Sequence, residues 1–344
     1  MKPTIYDVAR RARVSTATVS RALNGTSAVA SQTRERIDRA VRALGYRPNV
    51  VARSLVTKVT HTIALLLPDI TNPFFPDLVK GVQTLADERG YTVLLCSVAG
   101  DASREEEYLE MLSAKQVDGA LLVGLVCGHQ TIARFARHGI PIVSLDRNID
   151  YPRAPIVQVN HRKGARVATE YLLELGHRGV AHISGPIGLR VSQERLAGYR
   201  EALNKAGIGY DPGLVVSGNF TEEAGYTGIE ALLEAATAFT AVFAANDLAA
   251  IGATAALKDR GHRVPEDVSV VGFDDIRLAA YTSPPLTTIR QPTYEMGRRA
   301  TELLIDAIHS RGSIRRIQPV VFDGELIVRA SSARLVTAQL AGAV

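Results

Sequence analysis

The residues in this 344-residue chain best suited to do chemistry fall just after short apolar runs. Asn72, Phe74 and Phe75 follow the run 62–67, within Thr-Asn-Pro-Phe-Phe. Asp146 and Arg147 follow 140–145, and Phe220 comes soon after 214–217. Arg195 opens Arg-Leu-Ala-Gly-Tyr-Arg, Asn246 lies in Ala-Ala-Asn-Asp, Asp274 in Gly-Phe-Asp-Asp, and Gln291 after Thr-Thr-Ile-Arg. Carboxylates and guanidinium groups form charge-assisted, often paired bonds to vicinal hydroxyls. Aromatic faces cover the C–H faces of a ring. The inventory therefore suits binding of a neutral polyol. Taken singly, each residue has a plainer reading: Phe74 or Phe75 as core, Arg195 as a surface pair, Asp247 and Asp275 as helix caps without a part in the site.

Bond-making chemistry finds little support. Ser184-Gly-Pro lacks the flanking glycines of a nucleophile elbow. Gly185-Pro-Ile-Gly is not a dinucleotide fingerprint, and no glycine loop forms a phosphate nest. Asp274 and Asp275 are adjacent and need not converge on one bond. The eight histidines show no metal-ligand clustering. No catalytic residue, cofactor or metal is expected. Cys96 and Cys127 lie in or just after apolar strands and read as reduced core residues. The chain has no run of 18 apolar residues, so no membrane partner is expected, and the reading places it in the cytoplasm.

The elements that must position these groups are strands alternating with helices. Strands are expected at 62–67, 91–97, 119–123, 140–145, 180–184, 214–217, 241–244 and 269–272, with helices over 76–89, 131–138 and 193–206. Short, fully apolar strands between helices argue a parallel sheet covered on both faces. The runs His61-Thr-Ile-Ala-Leu-Leu-Leu and His177-Arg-Gly-Val-Ala-His-Ile each open a strand–loop–helix–strand unit, so the body reads as a duplication. Ligands of such sheets sit beyond the carboxyl ends of the strands.

The first sixty residues differ in kind. They carry twelve basic and three acidic side chains, whereas the remainder carries 28 basic and 32 acidic. Thr4 and Ser15 can cap two short helices, with Asp7 in the first turn of the first. Ile5, Val8, Ala9 and Ala12 share one face, and Val19, Ala22 and Leu23 face inward from the second helix. Thr16, Ala17, Ser20 and Arg21 point outward near that helix's start, where side chains can reach base edges in a major groove. A third helix starts near Ser31 and ends at Gly45, with Ile37, Ala40, Val41 and Leu44 inside. Pro48 breaks the chain and Asn49 can cap a short further helix to about Thr57.

The stretch from Thr4 to Gly25 closely resembles the headpiece of the LacI/GalR family of bacterial transcription regulators. The resemblance implies an N-terminal all-α helix-turn-helix headpiece at 1–48 and a hinge helix with linker at 49–60. An α/β periplasmic-binding-protein-like sensor of two parallel-sheet lobes follows at 61–334, and a short tail at 335–344. Lobe one is expected near 61–160 and 293–321, lobe two near 161–290 and 322–334. The resemblance assigns DNA contacts to Thr4, Tyr6, Ser15, Thr16, Ala17, Ser20, Arg21 and Asn24, with Leu55 as a minor-groove wedge. Arg13 departs from the family pattern, which usually has Gly there. A left-handed Arg costs on the order of 1 kcal/mol.

The post-strand residues are similar, motif by motif, to the contacts of ribose-binding proteins. This implies an effector site of Asn72, Phe74, Phe75, Asp146, Arg147, Arg195, Phe220, Asn246, Asp274 and Gln291. The expected protein is a repressor, released from near-palindromic double-stranded operator DNA by ribose or a similar monosaccharide. The alternatives are a corepressor ligand, a nucleoside or purine effector, and, further off, a sugar-transport protein or sugar-modifying enzyme. The tail is too short for a tetramer-forming heptad bundle, so a homodimer is expected.

Overall fold

A computed structural model describes residues 3–24, 29–46, 59–98, 101–115, 117–124, 137–146, 154–310 and 318–336. The chain divides into two compact units, Met1–Thr60 and His61–Val344.

The first unit contains α1 (Ile5–Ala12), α2 (Thr16–Asn24) and α3 (Ser31–Leu44). Val8, Ala9, Ala12, Val19, Ala22, Ile37 and Ala40 form its small core. Ser15 caps α2, accepting the Thr18 N–H at 3.1 Å. Thr4 acts differently from the simple cap expected. Both its N–H and its hydroxyl donate to Asp7, at 2.9 and 2.7 Å, because the carboxylate is the stronger acceptor. Arg13 ends α1 in the left-handed region, φ 52° and ψ 51°, so this turn accommodates a non-glycine residue.

The second unit is built from two six-stranded sheets. Its elements in chain order are β1 (Thr62–Leu67), α4 (Phe75–Glu88), β2 (Thr92–Ser97), α5 (Ala102–Lys115), β3 (Gly119–Val123), β4 (Ile142–Leu145) and β5 (Ile156–Val159). There follow α6 (His161–Glu174), β6 (Val180–Ser184), α7 (Arg190–Lys205), β7 (Val215–Ser217), α8 (Glu222–Glu234), β8 (Ala241–Ala244), α9 (Asp247–Asp259), β9 (Ser269–Asp274) and β10 (Thr287–Arg290). Last come α10 (Thr293–His309), β11 (Val320–Phe322) and β12 (Glu325–Ile327).

The strand orders are β11-β5-β4-β3-β1-β2 and β12-β10-β9-β8-β6-β7. The order is the same in both sheets, and only the direction of the last strand differs. β11 runs parallel to β5, whereas β12 runs antiparallel to β10. Side chains alternate across each sheet. In β1, Ile63, Leu65 and Leu67 join a core with Leu78 and Val82 of α4 and Leu304 of α10, while Ala64 and Leu66 face Leu109 and Leu112 of α5. In the second sheet, Ala181, Val242 and Val270 meet α8 and α9, and Val180, Phe243 and Val271 meet α6 and α7. The central strands are mainly apolar because both their faces are covered.

The chain passes from one sheet to the other around residues 160, 291–292 and 323–324. α6 follows a strand of the first sheet yet packs on the second, and α10 does the reverse. Several boundaries differ from expectation. α7 starts at Arg190, three residues early, and β9 continues to Asp274. β4 starts at Ile142, just after Pro141. The helix expected over 131–138 and the short helix after Asn49 lie largely outside the described residues, as do Cys127 and the last eight residues. Cys96 is buried in the core between the first sheet and α5.

Candidate functional site

The site is built at the carboxyl ends of the strands around Arg195. α6 and α7 approach closely because Gly198 has no side chain; a Cβ there would lie 2.1 Å from the carbonyl oxygen of Arg162. This contact brings Arg195, one turn into α7, against the start of α6. Arg195 is therefore in the second turn of its helix, not at its start as expected, and it is 5% exposed.

Its guanidinium meets four kinds of partner. Nη1 donates to the carbonyl of Ala245, just past β8. Nε and Nη2 face the Nδ1 of His161 at 3.4 and 3.3 Å. Nη2 lies 3.6 Å from Asp274 Oδ1. The Phe273 ring centroid is 3.9 Å from the guanidinium carbon and that of Phe220 5.6 Å. A buried guanidinium needs such a set, since unpaired charge in an apolar interior is costly.

Asp146 follows β4 with φ 53° and accepts through Oδ1 from the Val159 N–H at 3.0 Å and from His161 Nε2 at 3.1 Å. Burial pushes its carboxyl up, but His161, the Val159 N–H and Arg195 outweigh this and hold it below the ordinary value. Asp274 ends β9 and accepts from Gln291 Nε2 at 2.7 Å. Burial pushes its carboxyl up to about 7, against the opposing pull of Arg195 and Gln291. The other amide atom of Gln291, Oε1, is buried with no hydrogen-bond partner among the described residues.

Asn246 caps α9, taking the Ala249 N–H at 3.0 Å, and its Nδ2 donates to the carbonyl of Phe220 at 3.0 Å. Phe220 has φ 67°, and its ring lies over Gly185, where a Cβ would come within 2.2 Å of it. Phe74 packs against the core of the first sheet and also against that of the second, so it spans the two lobes.

The structure thus brings Asp146, Arg195, Phe220, Asn246, Asp274 and Gln291 into one network. Phe75 is buried in the core of the first sheet, edge-on to Phe74 at 5.1 Å. The Asn72 side chain accepts the Phe74 N–H at 2.9 Å, a local turn bond. Arg147 and Leu55 lie outside the described residues, and so does the side chain of Asn24.

Neither neighbouring aspartate is a helix cap. Asp247 is wholly buried and accepts from the Ile276 N–H at 2.8 Å and the Thr288 hydroxyl at 2.5 Å, tying α9 to the loop after β9 and to β10, the strand before Gln291. Burial, reinforced by Asp274, raises its carboxyl well above the ordinary range. Asp275 pairs with Arg290 at 2.7 Å and Arg329 at 2.6 Å. His161 is the member that the sequence did not disclose. A cavity of about 280 Å³ adjoins it, lined in part by Asp146, Gln158, Asn160, Arg190 and Glu194. No group of three or more metal-ligating side chains occurs among the described residues. No described helix is long and apolar enough to cross a membrane.

In the headpiece, Ala17 and Arg21 are exposed and Thr16 and Ser20 half-buried on the outward side of α2, with Tyr6 exposed on α1. Thr4 and Ser15 stand at the helix starts. A helix presenting short polar side chains and an arginine near its N-terminal half can read a major groove.

Residues 4–49 match the model of bacterial regulatory proteins of the lacI family, and residues 169–332 that of the periplasmic binding protein-like domain. The chain is 39% identical over 315 residues to the HTH-type transcriptional repressor PurR of Vibrio atlanticus, covering 91% of this chain and 94% of that one. The chain belongs to the LacI family. This LacI-family chain is also 40% identical over 307 residues to the ribose operon repressor of Haemophilus influenzae, covering 89% and 92% of the two. Among solved structures it resembles the lac repressor dimer bound to operator and the anti-inducer ONPF. The TM-score is 0.86 at 28% identity, covering 97% of this chain and 100% of that one.

Proposed function

We propose that this LacI-family chain is a DNA-binding transcriptional repressor that ribose or a similar monosaccharide releases from a near-palindromic operator. The single observation carrying the effector assignment is the buried Arg195–Asp274–Gln291 cluster with its unpartnered amide oxygen. A buried acceptor without a donor costs free energy that a ligand hydroxyl would recover. Asp146 and Asp274 accept, Arg195 and Asn246 donate, and Phe74 and Phe220 offer ring faces. Those are the needs of a pyranose or furanose with several adjacent hydroxyls.

In this reading two headpieces on a homodimer place Thr16, Ala17, Ser20 and Arg21 in successive major grooves, with Leu55 wedged in the minor groove between them. Effector binding draws the lobes together and shifts the dimer toward a geometry that holds operator less well. A coupling of about 1–3 kcal/mol suffices for regulation. Similarity to a ribose operon repressor supports the pentose.

The test is calorimetric titration of the purified protein with D-ribose, with and without an operator duplex. Saturable binding that weakens on operator supports both the ligand and the inducing sign. Binding that strengthens on operator makes the sugar a corepressor. Absence of heat with ribose overturns the pentose assignment and turns the same assay to hexoses and nucleosides. Conversion of the sugar to a product would overturn the binding-only reading.

A further inference from the structure

His161 opens α6 immediately after the first passage between the lobes, and it is 6% exposed. Its two ring nitrogens face partners of opposite kind. Nε2 lies 3.1 Å from Asp146 Oδ1, an acceptor at the end of a first-lobe strand. Nδ1 lies 3.3 and 3.4 Å from two N–H groups of Arg195, donors on a second-lobe helix. Neither arrangement can be reversed. A carboxylate at Asp146 cannot donate, and a guanidinium cannot accept. The imidazole must therefore carry its proton on Nε2 and leave Nδ1 bare. Protonating Nδ1 would turn it toward two N–H donors and a positive charge.

We propose that His161 is a positioning residue of the effector site: as the neutral Nε2–H tautomer it fixes a first-lobe carboxylate and a second-lobe guanidinium at one spacing. The proposal rests on the reading of Asp146 and Arg195 as effector ligands. Through Arg195 the connection continues to Asp274 and thence to Gln291 at the second passage between lobes. His161 thus links the two halves of the site in the protein itself, and the spacing it sets selects the effector. Burial opposes protonation of His161, while Asp146 and the nearby Glu194 favour it and Arg195 opposes it. A further face of the ring is closed by Phe273, 5.9 Å between centroids.

The test compares His161→Gln and His161→Phe with the wild type in the full chain. Glutamine keeps one donor and one acceptor at similar reach; phenylalanine keeps only the shape. D-ribose is the calorimetric probe, and thermal unfolding confirms that each variant folds. The expected result is ribose affinity within about threefold of wild type for His161→Gln and at least thirtyfold weaker for His161→Phe. Equal affinity for wild type and His161→Phe overturns the proposal. A second readout needs no ligand. In ¹⁵N-histidine spectra of the ligand-free protein at pH 7, the resonance pair lost in His161→Gln belongs to His161. It is expected to show a protonated Nε2 and a bare Nδ1. The opposite tautomer, or a doubly protonated ring, overturns the proposal. Should wild type bind no ribose, the pentose reading falls while the tautomer still decides this one.

Discussion

The two lobes share a strand order but divide the work unequally. The first sheet's β1 is aliphatic from Ile63 to Leu67, and its neighbours contribute mainly apolar core. The matching strand of the second sheet, β6, carries His182 and Ser184 buried within it. The second lobe also buries Arg195, Asp247 and Asp274. Beyond Asp146, the first lobe's contribution at the site is uncharged: the aromatic surface of Phe74 and the amide of Gln158. A duplicated scaffold has kept one copy as a packed support and filled the other with charges that depend on one another. The difference teaches where sensitivity to mutation and to pH should concentrate.

The strongest way to break this comparison is Arg195→Ala. It would leave Asp274 and Asp146 without their shared cation, and the expected loss of stability is about 3–5 kcal/mol, together with loss of effector binding. Urea denaturation measures it. A loss under about 1 kcal/mol would show that the second lobe's charges are independent after all.

Next in size is Asp274→Asn. The wild-type carboxyl is raised by burial to about 7, so the folded protein holds this proton more tightly than the unfolded chain. The stability this confers is present below the unfolded value near 3.8 and is lost as pH rises through about 7. The variant should gain about 2–4 kcal/mol on wild type between pH 4 and pH 8, judged by unfolding free energies at both. A constant difference would place the titration elsewhere.

His182 should show the opposite slope. It is stacked between Tyr199 and Phe243 with ring centroids 5.2 and 4.9 Å away, and its Nδ1 lies 2.9 Å from the carbonyl of Phe243. Burial lowers it to about 4, so stability falls as pH drops below the ordinary histidine range. His182→Leu should be within about 1 kcal/mol of wild type at pH 7 and relatively more stable by about 2 kcal/mol at pH 5. Thermal melts at the two pH values separate this from a uniform packing change. The smallest effect belongs to the apolar lobe: Phe74→Ala is expected to cost about 1–2 kcal/mol of stability, being only half-buried, and about tenfold in ribose affinity. A stability loss as large as that of Arg195→Ala would erase the contrast between lobes.

Most strands were legible because parallel strands covered on both faces leave a simple apolar signature. The start of α7 was not, because Leu189 precedes it without a capping side chain, and nothing in Gly-Leu-Arg marks a helix start. Asp247 was misjudged for a definite reason. In Asn246-Asp247 only one side chain can cap α9; Asn246 does so, which leaves Asp247 to turn into the sheet. His161 was invisible because its partners stand 15 and 34 residues away and share no motif with it. The polar residues after strands could be collected by position, but only tertiary contact shows that Phe75 is core and that Asp146 meets Arg195 through an imidazole.

The order of strands along the chain has a consequence for synthesis. β1 to β5 leave the ribosome first, yet the core face of that sheet is completed by Met296, Ala300, Leu303 and Leu304 of α10, and its edge by β11. Between these come all the strands of the second sheet except β12. At about 5–20 residues per second, the nascent first lobe waits roughly 7–30 seconds with that aliphatic face covered by α4 alone. The second lobe, filled with charges, is translated inside that interval, all but its edge strand β12, so each lobe is completed only by the last stretch of the chain.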